Sequence, residues 1–453
     1  MEVSVAWNKT RVNNWSRTQS SEPAKIEHPR TVEDIVRILK DSTRWPSPVR
    51  AMGNYHSTTA CVNSERGTIL DMKHLNRIHP PDDHHVRVQA GALYKDVTKE
   101  LNKKGLNLPV NLQVGNVTVG SVACCATKDG SYPGVFGQAG AYVTHVKLVR
   151  PDGTIEDIDE SQPELFAAVK SSYGLMGIIV EVTFEVVKLK PISVRHETYS
   201  FKRFLQMLPG LIAQRESIEL YIFPISDRVT VQFRGPAIPN TPLNRWVWWI
   251  RNTGVQHGMP VFTRLFRLIP FRSIRYACIH LVDAIARQIL VKLVHAGHTN
   301  PAQQTTNYAH RPWLGAFTFS IWAFPEVDYP NVLMEYQDFC REYYSQYGYQ
   351  PDMLTVGYRV IQSQHSLLSY SHEGDVMTID PVAVGSEDWR HFARAFNDFA
   401  VARGGKPLMN QTPHLRSDQL DKAFGGQWKL FKDYRTQYDP EDRLLNAYFA
   451  SLL

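Results

Sequence analysis

Two glycine-rich stretches hold the residues best suited to chemistry. The first, Gly53-Asn-Tyr-His-Ser57, follows a short apolar run, Val49-Arg-Ala-Met52. Glycine removes steric bulk, and consecutive backbone N–H groups in such a loop form a nest for a phosphate. His56 taken alone is an ordinary loop histidine. The second stretch runs Val114-Gly-Asn-Val-Thr-Val-Gly-Ser121, then Val122 to Ser131, then Gly134-Val-Phe-Gly-Gln138. Small residues at this density suggest backbone wrapped around an extended ligand; a series of tight turns is the plainer alternative. The chain lacks the Gly-x-Gly-x-x-Gly and Walker patterns, so neither a Rossmann nor a P-loop site explains these glycines.

The elements that must position these loops are legible from periodicity. Thr31 can cap a helix whose Val32, Ile35, Val36 and Leu39 share one face. Strands are expected at 49–52, 68–71 and 86–89. Leu93, Val97 and Leu101 repeat every four residues, with Gly105 as the helix end. Val146, Leu148 and Arg150 lead into Pro151-Asp-Gly, a turn signal, with a returning strand at 154–158. A helix follows at 162–172. Ile178, Val180, Val182, Phe184 and Val186 then alternate with polar residues as a half-buried strand. An α+β domain ending near residue 190 is expected.

Residues 243–298 differ in character. They are rich in Trp, Phe, Ile, Leu and Arg, as in Arg245-Trp-Val-Trp-Trp-Ile-Arg251. Two readings stand: core helices covering a sheet, or a basic amphipathic surface that rests on membrane or admits a greasy substrate. Beyond it the pattern predicts helices at 331–347 and 388–403, strands at 353–360, 367–370 and 376–380, and a hairpin turn at Ser371-His-Glu-Gly-Asp375. A mixed or antiparallel sheet covered by helices fits this order.

Composition sets outer limits. A chain of 453 residues suggests two to three domain-sized units, and 43% apolar residues allow a large core. A net charge of +6 is too small for its length to imply nucleic-acid binding. Five scattered cysteines make no disulfide framework and no Cys-x-x-Cys pair, so buried free thiols are expected and no metal is assigned. Met1 to Arg17 lacks the apolar run of a signal peptide. Asn8-Lys-Thr and Asn14-Trp-Ser match the glycosylation triplet, a pattern frequent by chance. Asp283, Arg287 and Lys292 interrupt the apolar stretch 276–294 and argue against a membrane span. A cytoplasmic protein is the default, with membrane contact through 243–298 under the surface reading of that stretch.

Asn14-Trp-Ser, Gly53-Asn-Tyr-His-Ser57, Val117-Thr-Val-Gly-Ser-Val-Ala123, Pro151-Asp-Gly153 and Ser172-Tyr-Gly-Leu-Met-Gly-Ile-Ile179 occur in order. Together they resemble the FAD domain of the vanillyl-alcohol oxidase superfamily, of the type called PCMH. Similar members include the aldonolactone and alditol oxidases and decaprenylphosphoryl-ribose oxidase. Tyr438-Asp-Pro-Glu-Asp-Arg-Leu-Leu-Asn446 resembles the closing segment of that family. The resemblance implies an FAD-binding domain at 1–190, a substrate domain at 191–430 and a C-terminal return at 431–453.

It further implies that Gly53, Asn54, Tyr55, His56 and Ser57 hold the FAD pyrophosphate, with His56 bonded to the flavin 8α-methyl group. Gly120, Ser121, Cys124, Cys125, Ala126, Ile178, Ile179 and Asn446 would complete the cofactor site. Relatives with a second link carry a cysteine near the position of Gly115-Asn116, so a single link is expected. On the substrate side Gly357-Tyr-Arg359 resembles a strand bearing an Arg near the flavin, but Gly357 stands where alditol oxidases have an acidic residue. Gln411 stands at the position of a lysine in the relatives and cannot act as a base. This departure leaves the proton acceptor open, with Tyr358, Tyr370 and His414 as candidates by location. The expected reaction is hydride removal from a CH–OH group of a small molecule, with O2 as electron acceptor. A dehydrogenase using another acceptor, an oxidative cyclase or desaturase acting on a lipophilic substrate, and a flavin-binding protein without turnover are the alternatives.

Overall fold

The computed structural model describes residues 11–236, 245–294, 297–299, 306–308 and 317–453. The Asn8 triplet lies outside them. After a short antiparallel pair of Val12–Asn13 with Ser20–Ser21, the chain forms three short strands, β1 (Lys25–Glu27), β2 (Val49–Met52) and β3 (Thr68–Asp71), paired in parallel in the order β1-β3-β2. Helix α1 (Val32–Lys40) connects the first two. Its start is a reciprocal capping box: Asp34 N donates to Thr31 Oγ1 and Thr31 N donates to Asp34 Oδ2, both at 3.2 Å. Ile35, Ile38 and Leu39 turn inward, as their spacing requires.

A second, antiparallel sheet follows. Its strands are β4 (His85–Gln89), β5 (Val143–Val149), β6 (Ile155–Asp159) and β7 (Ile178–Glu185), in the order β4-β7-β5-β6. Between them lie α2 (Tyr94–Asn102), α3 (Val119–Cys124) and α4 (Pro163–Val169). Helix α4 is shorter than expected, because the chain turns after Lys170 into the Ser171–Gly177 loop.

From Ile192 the chain builds a nine-stranded sheet. Its longer strands are β8 (Ile192–Tyr199), β9 (Ser217–Phe223), β10 (Arg228–Pro236), β11 (Trp322–Pro325), β12 (Thr355–Val360) and β13 (Val376–Ala383). They run in the order β8-β10-β9-β12-β13-β11. Gly297–Thr299 pairs with β8, Lys406–Pro407 with β11 and Thr318–Phe319 with β13. Every pairing is antiparallel, which settles the mixed-or-antiparallel alternative. Helices α5 (Phe201–Ala213), α6 (Arg245–Thr253), α7 (Met259–Phe266), α8 (Arg272–Ile289), α9 (Tyr329–Tyr347) and α10 (Glu387–Ala402) accompany this sheet.

One expected strand is absent. Residues 367–370 are irregular, and 361–375 is a long connection between β12 and β13 rather than a strand plus a tight turn. The backbone of that connection is committed elsewhere. Leu367 N donates to Ala167 O at 2.9 Å and Leu368 N to Ser171 Oγ at 2.8 Å. Gln138 Nε2 donates to Ser369 Oγ and Ser371 Oγ at 2.7 and 2.8 Å.

The last residues return to the first sheet. Val49 N donates to Arg443 O, and the buried Arg50 guanidinium donates to Leu444 O. Arg443 donates in turn to the carbonyls of Ile38 and Leu39 at the end of α1. The five cysteines are unbridged; Cys61, Cys124 and Cys340 are buried, Cys125 and Cys278 half-buried.

Candidate active site

The loop after β2 is fastened from outside along four consecutive carbonyls. Trp15 N donates to Tyr55 O at 3.1 Å, and the Trp15 indole N–H to His56 O at 3.1 Å. The Asn14 side chain donates to Ser57 O at 2.9 Å and the Gln19 side chain to Thr58 O at 3.1 Å. Gln411 Nε2 adds a second donor to His56 O at 3.3 Å. The Asn14-Trp-Ser motif is thus a clamp on this loop. Asn14, 1% exposed, is not available to a glycan. Tyr55 sits at φ +47°, a left-handed conformation costly for a non-glycine residue, and the clamp holds it there.

The second glycine-rich stretch closes on the first. Asn54 Nδ2 donates to Asn116 O at 2.7 Å. A Cβ on Gly53 would lie 2.2 Å from Thr118 Oγ1, and one on Gly120 would lie 2.9 Å from the Ala90 methyl. Glycine is therefore required at both positions by close approach. Between the stretches opens a cavity of about 330 Å³, lined by Gly53–Ser57, Thr118, Gly120, Ser121, Cys124, Cys125, Gly174, Gly177 and Ile179. Ile178 does not reach it. Successive strand residues face opposite ways, and Ile178 packs with Ile35, Leu70 and Leu444 instead. Ala126 is packed beside Val360 and Tyr370. Asn446 also lies outside the lining; its side chain donates to the carbonyls of Ala60, Cys61 and Asn63 and so supports the end of the His56 loop.

The same cavity extends to the large sheet, where it meets charged groups that sequence reasoning missed. Lys128 Nζ and Asp380 Oδ2 are 2.8 Å apart, with side chains 5% and 4% exposed. Lys128 Nζ also lies 3.9 Å from the centre of the Tyr358 ring. Burial pushes the Asp380 carboxyl above its ordinary range, and the adjacent Lys128 opposes that shift. Nearby on β9, Glu219 accepts from Gln113 at 2.5 Å and Gln232 at 2.6 Å, and burial raises it as well. Arg251 donates to the Tyr221 hydroxyl at 3.0 Å. The one sequence signal for this region was a Lys-Asp pair inside a run of small residues. Each member reaches a distant strand: Asp129 pairs with the fully buried Arg234 at 2.6 Å.

The candidate catalytic residues separate. Tyr358 and Gln411 line the cavity. Arg359, one residue further along β12, is turned away and bonds Glu326 at 2.5 Å and Asp375 at 2.7 Å. Its placement as an arginine beside the flavin is corrected by strand parity. Tyr370 and His414 also lie outside the lining. Burial, reinforced by Arg394 and Arg390, pushes His414 down to about 4. Asn410 Oδ1 and Gln411 Oε1, both at the cavity, are buried without a hydrogen-bond partner among the described residues.

Residues 23–159 match the family described as FAD binding domain, and residues 182–452 match the one described as D-arabinono-1,4-lactone oxidase. The second match alone spans more than half of the chain. The chain belongs to the D-arabinono-1,4-lactone oxidase family. It is accordingly an FAD-dependent oxidoreductase acting on CH–OH groups. This family member is similar to L-gulonolactone oxidase from Scyliorhinus torazame, 23% identical over 444 residues that cover 96% of each chain. It is also similar to L-gulono-1,4-lactone dehydrogenase from Mycobacterium tuberculosis (strain CDC 1551 / Oshkosh), 21% identical over 448 residues, 97% of this chain and 98% of that one. Its fold is similar to that of cholesterol oxidase from B. sterolicum, with TM-score 0.80 and 14% identity over 98% and 96% of the two chains. The residues of the cavity fit FAD. Side-chain-free backbone at Gly53, Gly120, Gly174 and Gly177 admits a flat ring system and a pyrophosphate, and the orphaned Gln411 and Asn410 oxygens can accept hydrogen bonds.

Proposed function

We propose that this chain is an oxidase carrying FAD covalently on His56, and that the Lys128–Asp380 pair manages the proton of the substrate hydroxyl. FAD, when bound, accepts the hydride from the substrate carbon. The observation that carries the reading is that one cavity joins the clamped His56 loop to a buried, charged pair. His56 is 8% exposed and lies on the cavity wall, a placement compatible with a bond to a ring held there. Asp380 is the residue suited to receive the hydroxyl proton. A carboxylate raised by burial accepts a proton more readily than one in water, and the Lys128 ammonium beside it opposes that rise and favours its charged form. The Lys128 ammonium can donate to the substrate oxygen as its charge develops. Gln411, which replaces the expected lysine, holds His56 O and offers Oε1 to the ligand.

The division at residues 190 and 430, the cytoplasmic setting, a peripheral membrane contact through the 243–298 region and O2 as acceptor belong to the same proposal. The test is anaerobic bleaching of the flavin by a panel running from aldonolactones and polyols to long-chain and polycyclic alcohols. Bleaching followed by peroxide release on admitting air supports an oxidase. Bleaching without peroxide moves the reading to a dehydrogenase, and no bleaching by any alcohol refutes it. Asp380→Asn must slow bleaching and abolish the acidic limb of its pH profile; an unchanged limb removes Asp380 from the role.

A further inference from the structure

Residues 245–294 form a helical layer with two faces. The inner face is ordinary protein interior: Trp248, Thr263, Tyr276, Ile279 and Val294 are buried. The outer face is not. Of the seventeen large apolar side chains exposed among the described residues, eleven fall in this segment of fifty. Leu268 is 80% exposed, Trp249 68%, and Trp246 and Phe271 66% each. On α8 the exposed Leu281, Ile285 and Ile289 recur every four residues, so they make one stripe opposite Tyr276, Ile279 and Asp283. A patch of this extent on one layer marks an interaction surface.

Charge identifies the occupant. The segment holds eight basic residues and one acidic one, a balance of +7 where the whole chain has +6. The single acid, Asp283, is 4% exposed and faces inward. Of the basic residues, Arg251 is spent inward on Tyr221 and Arg267 on Asp352, while Arg272 and Lys292 are exposed and Arg264, Arg275 and Arg287 half-buried, so the outer surface combines Trp, Phe and Leu with these basic side chains and no carboxylate from the segment. That combination suits the interface of an anionic bilayer, where apolar side chains sink below the headgroups and basic ones pair with them. Among the described residues no helix is long and apolar enough to cross a membrane, so the contact is one of lying on the surface.

The same layer closes the cavity. Arg251, at the end of α6, Gln256, in the π-helical turn Gly254–Gly258, and Met259, opening α7, line its wall. Much of the remaining wall on that side is apolar: Phe317, Phe319, Met353 and Leu354. The charged side chains of the wall facing the large sheet are spent on neighbours, Lys128 on Asp380, Glu219 on Gln113 and Gln232, Arg251 on Tyr221, which leaves the Asn410 and Gln411 oxygens as open acceptors. A polyhydroxylated substrate needs a partner for each hydroxyl it buries. An alcohol with one hydroxyl and an apolar body does not.

We propose that residues 245–294 dock the enzyme on an anionic bilayer and pass a lipophilic alcohol dissolved in it into the cavity. This rests on the reading of the cavity as the oxidising site. The test uses the flavin-loaded enzyme and vesicles of phosphatidylserine and phosphatidylcholine, with phosphatidylcholine alone for comparison. The enzyme is expected to sediment with the anionic vesicles at low salt and to be released by high salt. Its flavin should be bleached faster by long-chain or polycyclic alcohols presented in those vesicles than by polyols in buffer. Replacing Trp246, Trp249, Leu268 and Phe271 by Ser removes side chains that point away from the cavity. That variant should lose vesicle affinity about tenfold or more while a water-soluble alcohol still bleaches its flavin at the original rate. Wild-type enzyme that stays in the supernatant with anionic vesicles overturns docking, whatever the flavin does. Self-association through this face, abolished by the same variant and with no vesicle binding, also overturns it in favour of a second copy. Vesicle binding with bleaching only by polyols or lactones overturns delivery of a lipophilic substrate. Bleaching by no alcohol at all fails the oxidising-site reading instead.

Discussion

Removing either half of the Lys128–Asp380 pair should destabilise the protein, and removing Lys128 should do so in a pH-dependent way. At 2.8 Å the Coulomb attraction is about 6 kcal/mol at an effective dielectric of about 20. Desolvation of two nearly fully buried ions takes most of that back, so the pair as a whole contributes little net stability. A single replacement is different, because it leaves one buried charge alone and costs about 3–5 kcal/mol. In Lys128→Met the group left is Asp380, whose folded-state pKa already lies above its ordinary value through burial. Without Lys128 it rises further. A carboxyl raised on folding retains stability below its unfolded pKa and loses it as pH rises through the folded one. The cost of Lys128→Met is therefore largest at neutral and alkaline pH and shrinks toward pH about 4. In Asp380→Asn the lone group is an ammonium, whose charge burial disfavours. Urea unfolding of both variants from pH 5 to pH 9, with the double variant Lys128→Met/Asp380→Asn closing the cycle, measures this. The double variant should lose less than either single one at pH 7. A Lys128→Met cost that does not shrink toward acid pH, or single losses within about 0.5 kcal/mol of wild type, would refute the pair as a buried, mutually dependent charge.

Gln411→Ala should slow anaerobic flavin reduction about 10–100-fold, since it removes a hydrogen-bonding group from the cavity and a donor to His56 O; unchanged turnover removes Gln411 from the site. Gly53→Ala should cost about 1–3 kcal/mol and lower flavin content, because its Cβ would meet Thr118 Oγ1 at 2.2 Å. Thr118→Gly in the same chain clears those contacts and should restore the flavin content measured by absorbance. Arg359→Met should lower stability by about 1 kcal/mol, discounted for the partial exposure of Glu326 and Asp375. It should leave flavin reduction within about twofold; a hundredfold fall would return Arg359 to the reacting centre.

The close approach of the two glycine-rich stretches was legible because its signals are local. A glycine is required where two backbones nearly touch, and both Gly53 and Gly120 stand in short contiguous motifs. Most helices and strands followed from periodicity for the same reason. The proposed substrate end was not legible, because its partners lie far apart in sequence. Lys128 and Asp380 are 252 residues apart and meet only once β13 is placed in the large sheet. Tyr358 and Arg359 differ by one position, and no local pattern in Gly357-Tyr-Arg359 says which faces inward; the pairing of β12 with β9 and β13 decides it. Residues 367–370 have strand-like composition, but Ala167 and Ser171, some 200 residues earlier, take up their backbone. The 243–298 region was left between two readings, and the structure shows a buried face and an exposed one on the same helices.

The central claim is that the clamped loop presents His56 as the anchor of the flavin. Acid precipitation of the purified protein, followed by peptide mass spectrometry of the pellet, tests it most directly. The account predicts a yellow pellet and a flavin-bearing peptide containing His56, with the colour lost to the supernatant in His56→Ala. A colourless wild-type pellet with all FAD in the supernatant would contradict it.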